Sequence, residues 1–245
     1  DLFTQYGVAA AYQAMKQSGL SSQGENKNID PFRLGVYFGS GIGGFATQYR
    51  EISKMIEDPS GQWISPLFIP TMISNIAAGH IAILNNAQGP CLDIVTACAT
   101  STNAMGEAFR AIRNGYADAI ITGGCENATI PIGIVGFANA KALSRATDPN
   151  YASLPFNGNR AGFVMADGSA ALVLEEYEHA KARGAQILGE MVGYGNTCDA
   201  YHSTAPRPDG TTQAKCIELA LEEAGFDKEK DNLYQDAKAD TIKEF

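Results

Sequence analysis

The chain has 245 residues, 45% of them hydrophobic, which is enough apolar material for one large core or two modest ones. The formal net charge of −9 argues against nucleic acid as the main partner, and no apolar run reaches the ~18 to 20 residues of a membrane span. The five cysteines have neither metal-site nor disulfide-framework spacing, so we expect a reducing, cytoplasmic compartment and no bound metal.

The hydrophobic pattern predicts strands and helices in alternation. Apolar residues at helical spacing ahead of Gly19 predict a first helix, and the last helical pattern covers 212–224. The predicted strands are 34–39, 92–96, 119–122, 170–174 and 187–194. One predicted helix follows the first strand and reaches about Ile56, and a second includes 76–81. A third follows the second strand and ends at Gly115, and a fourth covers 177–183. Such alternation favours an α/β layered fold.

One cysteine lies at a position that suits a catalytic nucleophile. Residues 92–96 are predicted as a buried strand and 105–112 as part of a helix, so Cys98 falls on a tight strand-to-helix turn. The unpaired N–H groups of a helix N-terminus favour a thiolate, which is the reactive form of cysteine. The alanines on either side leave room for a substrate carbonyl. A buried structural cysteine is the alternative that spacing alone leaves open.

The glycine string after the first predicted strand has two interpretations. Gly39, Gly41 and Gly44 fit the G-x-G-x-x-G spacing of a dinucleotide site. The acidic residue that should end a second strand is not convincing, because Asp58 falls in a predicted loop. We therefore expect these glycines to permit close backbone packing, and we expect no cofactor.

The histidines occur in different settings. His80 lies in an apolar helical stretch and is expected in the core or an interface, whereas His179 lies on a polar, exposed helix. His202 lies in a turn-rich loop after a predicted strand, where catalytic groups are concentrated. A cysteine and a histidine could carry out acyl transfer, with the imidazole as acid, base or hydrogen-bond donor. No two histidines have metal-ligand spacing.

Five segments resemble one enzyme family. They are GSGIGG at 39–44, TACATS at 96–101, GFANAKALS at 136–144, FNGNRAGFV at 156–164 and DAYH at 199–202. Their order and spacing are similar to those of the β-ketoacyl-acyl-carrier-protein synthases, the condensing enzymes of type II fatty acid synthesis. The resemblance covers nearly all of residues 1 to about 225.

The resemblance implies a thiolase-like fold with α-β-α-β-α layers, built from two similar halves and usually paired as a homodimer. The first half, with the nucleophile, would cover 1–185, and 186–245 would begin the second half. The implied partners are acyl carrier protein and acyl and malonyl thioesters. Cys98 would accept the acyl chain as a thioester, and the carbanion left by malonyl decarboxylation would attack it. His202 would be one of two histidines that hydrogen-bond the thioester oxygen as enolate charge develops.

The resemblance also implies roles for residues outside the catalytic pair. Ile42, Phe137 and Phe163 match positions that border the acyl pocket and its entrance, with ordinary core packing as the alternative. Lys141 matches a basic position that holds the acidic carrier protein, with a solvated surface lysine as the alternative. Arg160 is expected to be structural.

Some family segments do not occur in this chain. They are the H-G-T-S-T segment, the K-S-M-T-G-H segment, the later glycine-rich string and the initial strand of the first half. In the family, K-S-M-T-G-H carries a lysine and the second catalytic histidine. We therefore expect a longer parent enzyme. The rival interpretations are a thiolase acting on coenzyme A thioesters, a ketosynthase or non-catalytic subunit of a polyketide system, and a pure binding module.

Overall fold

The computed structural model describes residues 1–20 and 28–226. The helices are α1 (Leu2–Ser18), α2 (Phe45–Glu57), α3 (Phe68–Met72), α4 (Ile76–Leu84), α5 (Thr100–Arg113), α6 (Pro131–Asn139), α7 (Tyr177–Ala182) and α8 (Thr211–Glu223). The strands are β1 (Leu34–Gly39), β2 (Cys91–Leu92), β3 (Ala119–Glu126) and β4 (Gly168–Glu175). No helix in these described ranges is long and apolar enough to cross a membrane.

Within the described residues the strands form a single sheet in the order β2-β1-β3-β4. Strand β1 pairs in parallel with β2 and β3, and β4 runs antiparallel to β3. Gly39 at the end of β1 lies opposite Gly124 of β3. Because parallel strands end at the same edge of a sheet, the segments that follow β1 and β3 emerge side by side.

The two central strands are buried on both faces. Successive side chains of a strand point to opposite faces, so Phe38 packs with the α1 residues Phe3 and Met15, whereas Tyr37 packs with Ala108 of α5 and Ile120. Helix α4 adds Ala77, Ala78 and Ile81 to the first of these clusters. The continuous apolar runs of β1 and β3 are typical of strands covered on both sides.

Most of the predicted elements are confirmed. The first helix ends at Gly19, whose φ of +74° gives the left-handed C-terminal cap that glycine adopts without strain. Strand β1 has the predicted bounds, and β3 and β4 contain the predicted strands with a few residues more. Helices α2, α7 and α8 also lie where the periodicity placed them.

Two predicted strands are wrong. Of residues 92–96 only Leu92 belongs to β2, an edge strand whose two residues are exposed, and the chain then turns toward α5. Residues 187–194 form no strand, and Gly193 and Gly195 lie instead against the backbone of α8. Of the two positions expected for His80, the core is wrong, because the residue is exposed, and an interface stays a prediction.

The chain divides into two compact units. The first comprises Asp1–Ser153 and Ala161–Ile187, and the second comprises Leu154–Arg160 and Leu188–Phe245. In the first unit, Arg183 donates two hydrogen bonds to Glu175, at 2.7 and 2.6 Å, and a third to the carbonyl oxygen of Ser18. Burial alone would raise the pKa of Glu175, but Arg183 and His179 together hold it below the usual value. This ion pair joins the end of β4 to α1 and to the turn after α7.

Candidate active site

Cys98 lies on a tight turn immediately before α5, as predicted. Residues Ala97–Ala99 form one turn of 3₁₀ helix, and Thr96 closes it by donating its N–H to the Thr100 hydroxyl at 2.9 Å. Cys98 is exposed, so the alternative of a buried structural cysteine is wrong. Ala97 has a φ of +50°, a left-handed conformation that costs a residue with a side chain about 1–3 kcal/mol. Strain of this kind is concentrated at functional sites.

The start of α5 offers polar backbone to a ligand of Cys98. The residue that precedes the helix is Ala99, and no side chain caps its first N–H groups. These groups carry the partial positive charge of the helix N-terminus. A developing oxyanion on a carbonyl carbon attacked by the Cys98 sulfur would therefore meet favourable dipoles.

Glycines let the sheet approach this turn closely. A Cβ atom on Gly39 would collide with the carbonyl oxygen of Ile94 and with Cγ2 of Thr100, and one on Gly124 would collide with the Ser101 hydroxyl. A Cβ on Gly44 would likewise stand 2.7 Å from the carbonyl oxygen of Thr71. Close backbone packing, the role expected for the glycine string, is confirmed.

The site contains carboxylates that were not predicted. Glu126, the last residue of β3, accepts hydrogen bonds from the Ser40 hydroxyl at 2.9 Å and the Gly41 N–H at 2.8 Å. Asp93 accepts a hydrogen bond from the Ser74 hydroxyl at 2.6 Å, and burial raises the pKa of its carboxyl. The available signal for Glu126 was a charged residue at the end of a buried apolar strand.

A third carboxylate braces the loop after β3. Asp167 accepts hydrogen bonds from the N–H groups of Ala128 and Thr129, from the Thr129 hydroxyl and from the side chain of Asn127, at 2.8–3.0 Å. Burial would raise the pKa of Asp167, but these four bonds hold it below its ordinary value. They join the loop that leads into α6 to the start of β4.

The same environment makes a neighbouring thiol unreactive. Burial, with the negative charges of Glu126 and Asp93, raises the pKa of Cys125 to about 12. Partial burial of the sulfur and the charge of Asp93 also raise the pKa of Cys91. Because the thiolate is the nucleophilic form, a raised pKa makes both of these cysteines weak nucleophiles at neutral pH.

The structure brings two of the predicted pocket residues together. The rings of Phe137 and Phe163 meet edge to face, with centroids 5.3 Å apart and planes at 79°. They are 37% and 45% exposed, and Ile42 is 39% exposed. Lys141 is exposed just after α6, where its φ of +57° ends the helix in a left-handed turn.

His202 belongs to the second unit of the chain. Its ring Nδ1 accepts hydrogen bonds from the N–H groups of Thr204, at 3.1 Å, and Ala205, at 3.0 Å. A neutral imidazole with Nδ1 as acceptor carries its proton on Nε2, which makes Nε2 a donor. The imidazole is exposed.

Asp199 fastens the loop that carries His202. It accepts hydrogen bonds from the Arg207 N–H at 2.8 Å and the Gln213 side chain at 3.1 Å, and also from the Thr212 hydroxyl. Thr212 and the Arg207 backbone hold the pKa of Asp199 below its ordinary value. The loop is thereby anchored at its end and at the start of α8.

Comparison with known proteins gives consistent results. Residues 1–180 match the family described as Beta-ketoacyl synthase, N-terminal domain, and 188–233 match its C-terminal domain. The 3-oxoacyl-[acyl-carrier-protein] synthase 2 of Vibrio cholerae is 46% identical over 231 residues, covering 94% of this chain and 55% of the relative. That of Staphylococcus aureus is 44% identical over 237 residues, covering 97% of this chain and 57% of the relative. The chain thus spans about half the length of the curated relatives it matches.

Solved structures agree with the sequence relatives. A ketosynthase complex, whose title describes a type II PKS acyl-carrier protein with its ketosynthase bound to the hexaketide, matches with a TM-score of 0.87 and 32% identity. The match covers 92% of this chain and 56% of that chain. A Beta-ketoacyl synthase from Burkholderia phymatum matches with a TM-score of 0.82 and 31% identity, covering 93% and 54%. These likenesses confirm the predicted thiolase-like α/β fold.

Proposed function

Because the chain belongs to the β-ketoacyl synthase family, we propose that the full protein is a β-ketoacyl-acyl-carrier-protein synthase of fatty acid synthesis. The Cys98 thiolate attacks an acyl carrier thioester, so that an enzyme thioester forms and the carrier thiol leaves. Malonyl carrier protein then loses carbon dioxide, and its carbanion attacks the enzyme thioester. The β-ketoacyl carrier protein is released and the thiolate is regenerated. The observation that carries this proposal is the exposed Cys98 on its left-handed turn before α5.

The acyl chain is proposed to lie beside the aromatic pair. Phe137 and Phe163 present partly exposed rings in mutual contact, and Ile42 is a partly exposed apolar side chain on the loop beside the nucleophile turn. Apolar surface of this kind suits the hydrocarbon tail of a fatty acyl thioester. We also propose 1–185 and 186–245 as the two domains, and the unit boundary after Ile187 supports this division.

The reaction test uses the full protein and two sets of substrates. We expect product from acyl and malonyl thioesters of acyl carrier protein, detected by mass spectrometry of the carrier. A thiolase would instead act on coenzyme A thioesters and show no dependence on malonyl decarboxylation. The polyketide alternative is favoured by the solved ketosynthase complex, and it predicts repeated extension to a poly-β-keto chain. A single condensation per cycle favours fatty acid synthesis.

His202 is proposed to donate its Nε2–H to the malonyl thioester oxygen during decarboxylation. The Nδ1 contacts to Thr204 and Ala205 support this role, because they leave Nε2 as the protonated nitrogen. His202→Asn should lower decarboxylation by ~10² or more, since asparagine keeps an acceptor near the Nδ1 position but has no donor near Nε2. Acyl transfer to Cys98 should remain detectable in the same variant.

His202→Gln is the matched control, because its amide nitrogen reaches closer to the Nε2 position. We expect it to retain more decarboxylation than His202→Asn, measured as carbon dioxide released from malonyl carrier protein. A normal rate in His202→Asn would show that the histidine only braces its own loop through Nδ1, and the donor role would be withdrawn.

Lys141 is proposed to contact the acidic carrier protein. It is an exposed cation in a protein of net charge −9, next to Phe137 of the proposed pocket entrance. Lys141→Glu should raise the KM for the acyl carrier protein about tenfold, the effect of losing ~1.4 kcal/mol at an interface. Added salt should weaken the wild-type interaction, because exposed charges are screened over ~10 Å at 0.1 M salt.

Lys16→Glu reverses the charge of another exposed lysine, on α1, and is the control that should leave that KM unchanged. A small acyl thioester that needs no carrier should be used equally by the wild type and by Lys141→Glu. If both substrates lose activity to the same extent, Lys141 supports the fold and does not bind the carrier.

The proposed assembly is a cytoplasmic homodimer. Strand β2 is an exposed edge strand, with Leu92 49% exposed and Val95 just beyond it 50% exposed. Edge strands of this kind are open to pairing with a second copy and are an aggregation hazard when left uncovered. Light scattering of the full protein should give twice the mass of one chain, and Leu92→Lys should shift the protein toward monomer. A wild-type monomer would refute the assignment.

A further inference from the structure

The loop between β1 and α2 cannot fix its own conformation. Its five residues, 40–44, follow Gly39 at the end of β1 and read Ser-Gly-Ile-Gly-Gly, and glycine has the most backbone freedom of any residue. The loop carries the proposed pocket residue Ile42. Contacts with neighbouring segments must therefore help to hold it.

Glu126 supplies one anchor, beside the Asp93 carboxylate, which accepts a hydrogen bond from the Ser40 N–H, and the Met72 carbonyl, which accepts one from the Gly44 N–H at 2.9 Å. One carboxylate oxygen accepts a hydrogen bond from the Ser40 hydroxyl at 2.9 Å, and the other accepts one from the Gly41 N–H at 2.8 Å. The Ser40 oxygen accepts the Gly43 N–H at 2.9 Å, which extends the same chain of bonds. Bonds to an ionised carboxylate are about twice as strong as neutral ones. Glu126 ends β3, which is paired with a strand on each side, so the anchor itself is rigid.

The anchored loop also lies against the nucleophile turn. A Cβ atom on Gly41 would stand 2.7 Å from the Glu126 carboxylate, and 3.6 and 3.7 Å from the carbonyl oxygen and Cα of Ala97. Gly41 thus lies between Glu126, which holds it by a hydrogen bond, and the residue immediately before Cys98. The left-handed conformation of Ala97 persists only if its surroundings support it.

We infer that Glu126 is a positioning residue, which holds Gly41 against Ala97 and thereby sets the direction of the Cys98 thiol. The inference rests on the proposed function for its kinetic readout, but the geometry of the thiol can be measured without turnover. A displacement of about 1 Å in a reacting group can cost ~10² in rate. Glu126 contacts neither the thiol nor the acyl chain in this scheme.

The test compares Glu126→Gln with the wild type in the full protein. Glutamine has the same length and its oxygen can still accept from the Gly41 N–H, but its NH2 group can only donate, so the Ser40 hydroxyl loses its charged acceptor and must reverse its hydrogen bond. The turnover number for acyl transfer should fall about tenfold or more, with the KM for the acyl carrier thioester within about twofold. Ser40→Ala should have a smaller effect, and Ser40→Ala with Glu126→Gln should be no worse than Glu126→Gln alone, because both act through one loop.

A spectroscopic readout separates positioning from stability. Cys98 is converted to its thiocyanate in a background where only this cysteine reacts, and its nitrile infrared band is recorded. We expect the band to shift or broaden in Glu126→Gln. The control is Glu51→Gln. Glu51 is another carboxylate that accepts a hydrogen bond from a loop N–H, that of Ser65 at 3.0 Å, and the Cys98 nitrile band of this variant should match that of the wild type.

Two results would overturn the inference. One is an unchanged nitrile band together with an unchanged turnover number in Glu126→Gln. The other is an equal loss in Glu126→Gln and Glu51→Gln that follows the unfolded fraction. If the wild-type protein fails to acylate Cys98, the proposed function fails, whereas the nitrile comparison still decides the role of Glu126.

Discussion

Cys98→Ala is expected to lower acyl transfer from the carrier protein by at least ~10⁴-fold, because no other group in the scheme can form the enzyme thioester. Single-turnover transfer of a labelled acyl group measures this directly. Malonyl decarboxylation does not use the thiol, so it should remain detectable and show that the variant is folded.

Cys198→Ala is the matched control, since Cys198 is also an exposed cysteine but lies in the second unit. It should transfer acyl groups at the wild-type rate. Retention of covalent transfer in Cys98→Ala would assign the nucleophile to another residue.

Gly39→Ala should be the most damaging of the conservative changes. The new methyl group would strike the carbonyl oxygen of Ile94 and Cγ2 of Thr100, one on each side of the Cys98 turn. The Ile94 backbone and the start of α5 cannot both move away from the new methyl group without displacing the turn between them. Overpacking of this kind costs about 1–3 kcal/mol, so we expect a lower urea midpoint together with slower acyl transfer.

The matched control is Gly79→Ala in α4, where an added Cβ would meet nothing within 4 Å. It should leave acyl transfer unchanged and stabilise the helix by up to about 1 kcal/mol. Equal unfolding midpoints for Gly39→Ala and the wild type would mean that the approach of β1 to the turn is looser than described.

Periodicity was sufficient for the elements that are buried on both faces. Strands β1 and β3 read as continuous apolar runs, so their local patterns agree with their tertiary settings. Helices α1 and α8 were found by their helical spacing, and a glycine follows each of them. The turn at Cys98 followed from the helix after it. Prediction failed at 92–96 and 187–194, where an apolar pattern lies outside the paired part of the sheet. Whether such a segment becomes a strand depends on a partner, which no local pattern reveals.

The carboxylates of the site could not be predicted, because their partners are distant in sequence. Glu126 reaches Ser40 across 86 residues, and Asp167 reaches Asn127 across 40. Both contacts depend on the register of β3 with its neighbours, which fixes which strand ends meet. The edge-to-face contact of Phe137 with Phe163 could not be predicted either. The family resemblance indicated both residues, but only the fold shows that their rings are in contact.

The most direct test of the account is the site of covalent acylation. The full protein is incubated with acyl carrier thioester alone, without the malonyl substrate, and is digested and mapped by mass spectrometry. We expect the mass increase of the acyl group on the peptide that contains Cys98, and not on the peptides that contain Cys91, Cys125, Cys198 or Cys216. Acylation at another cysteine, or no covalent acyl enzyme at all, would contradict the assignment of Cys98 as the nucleophile.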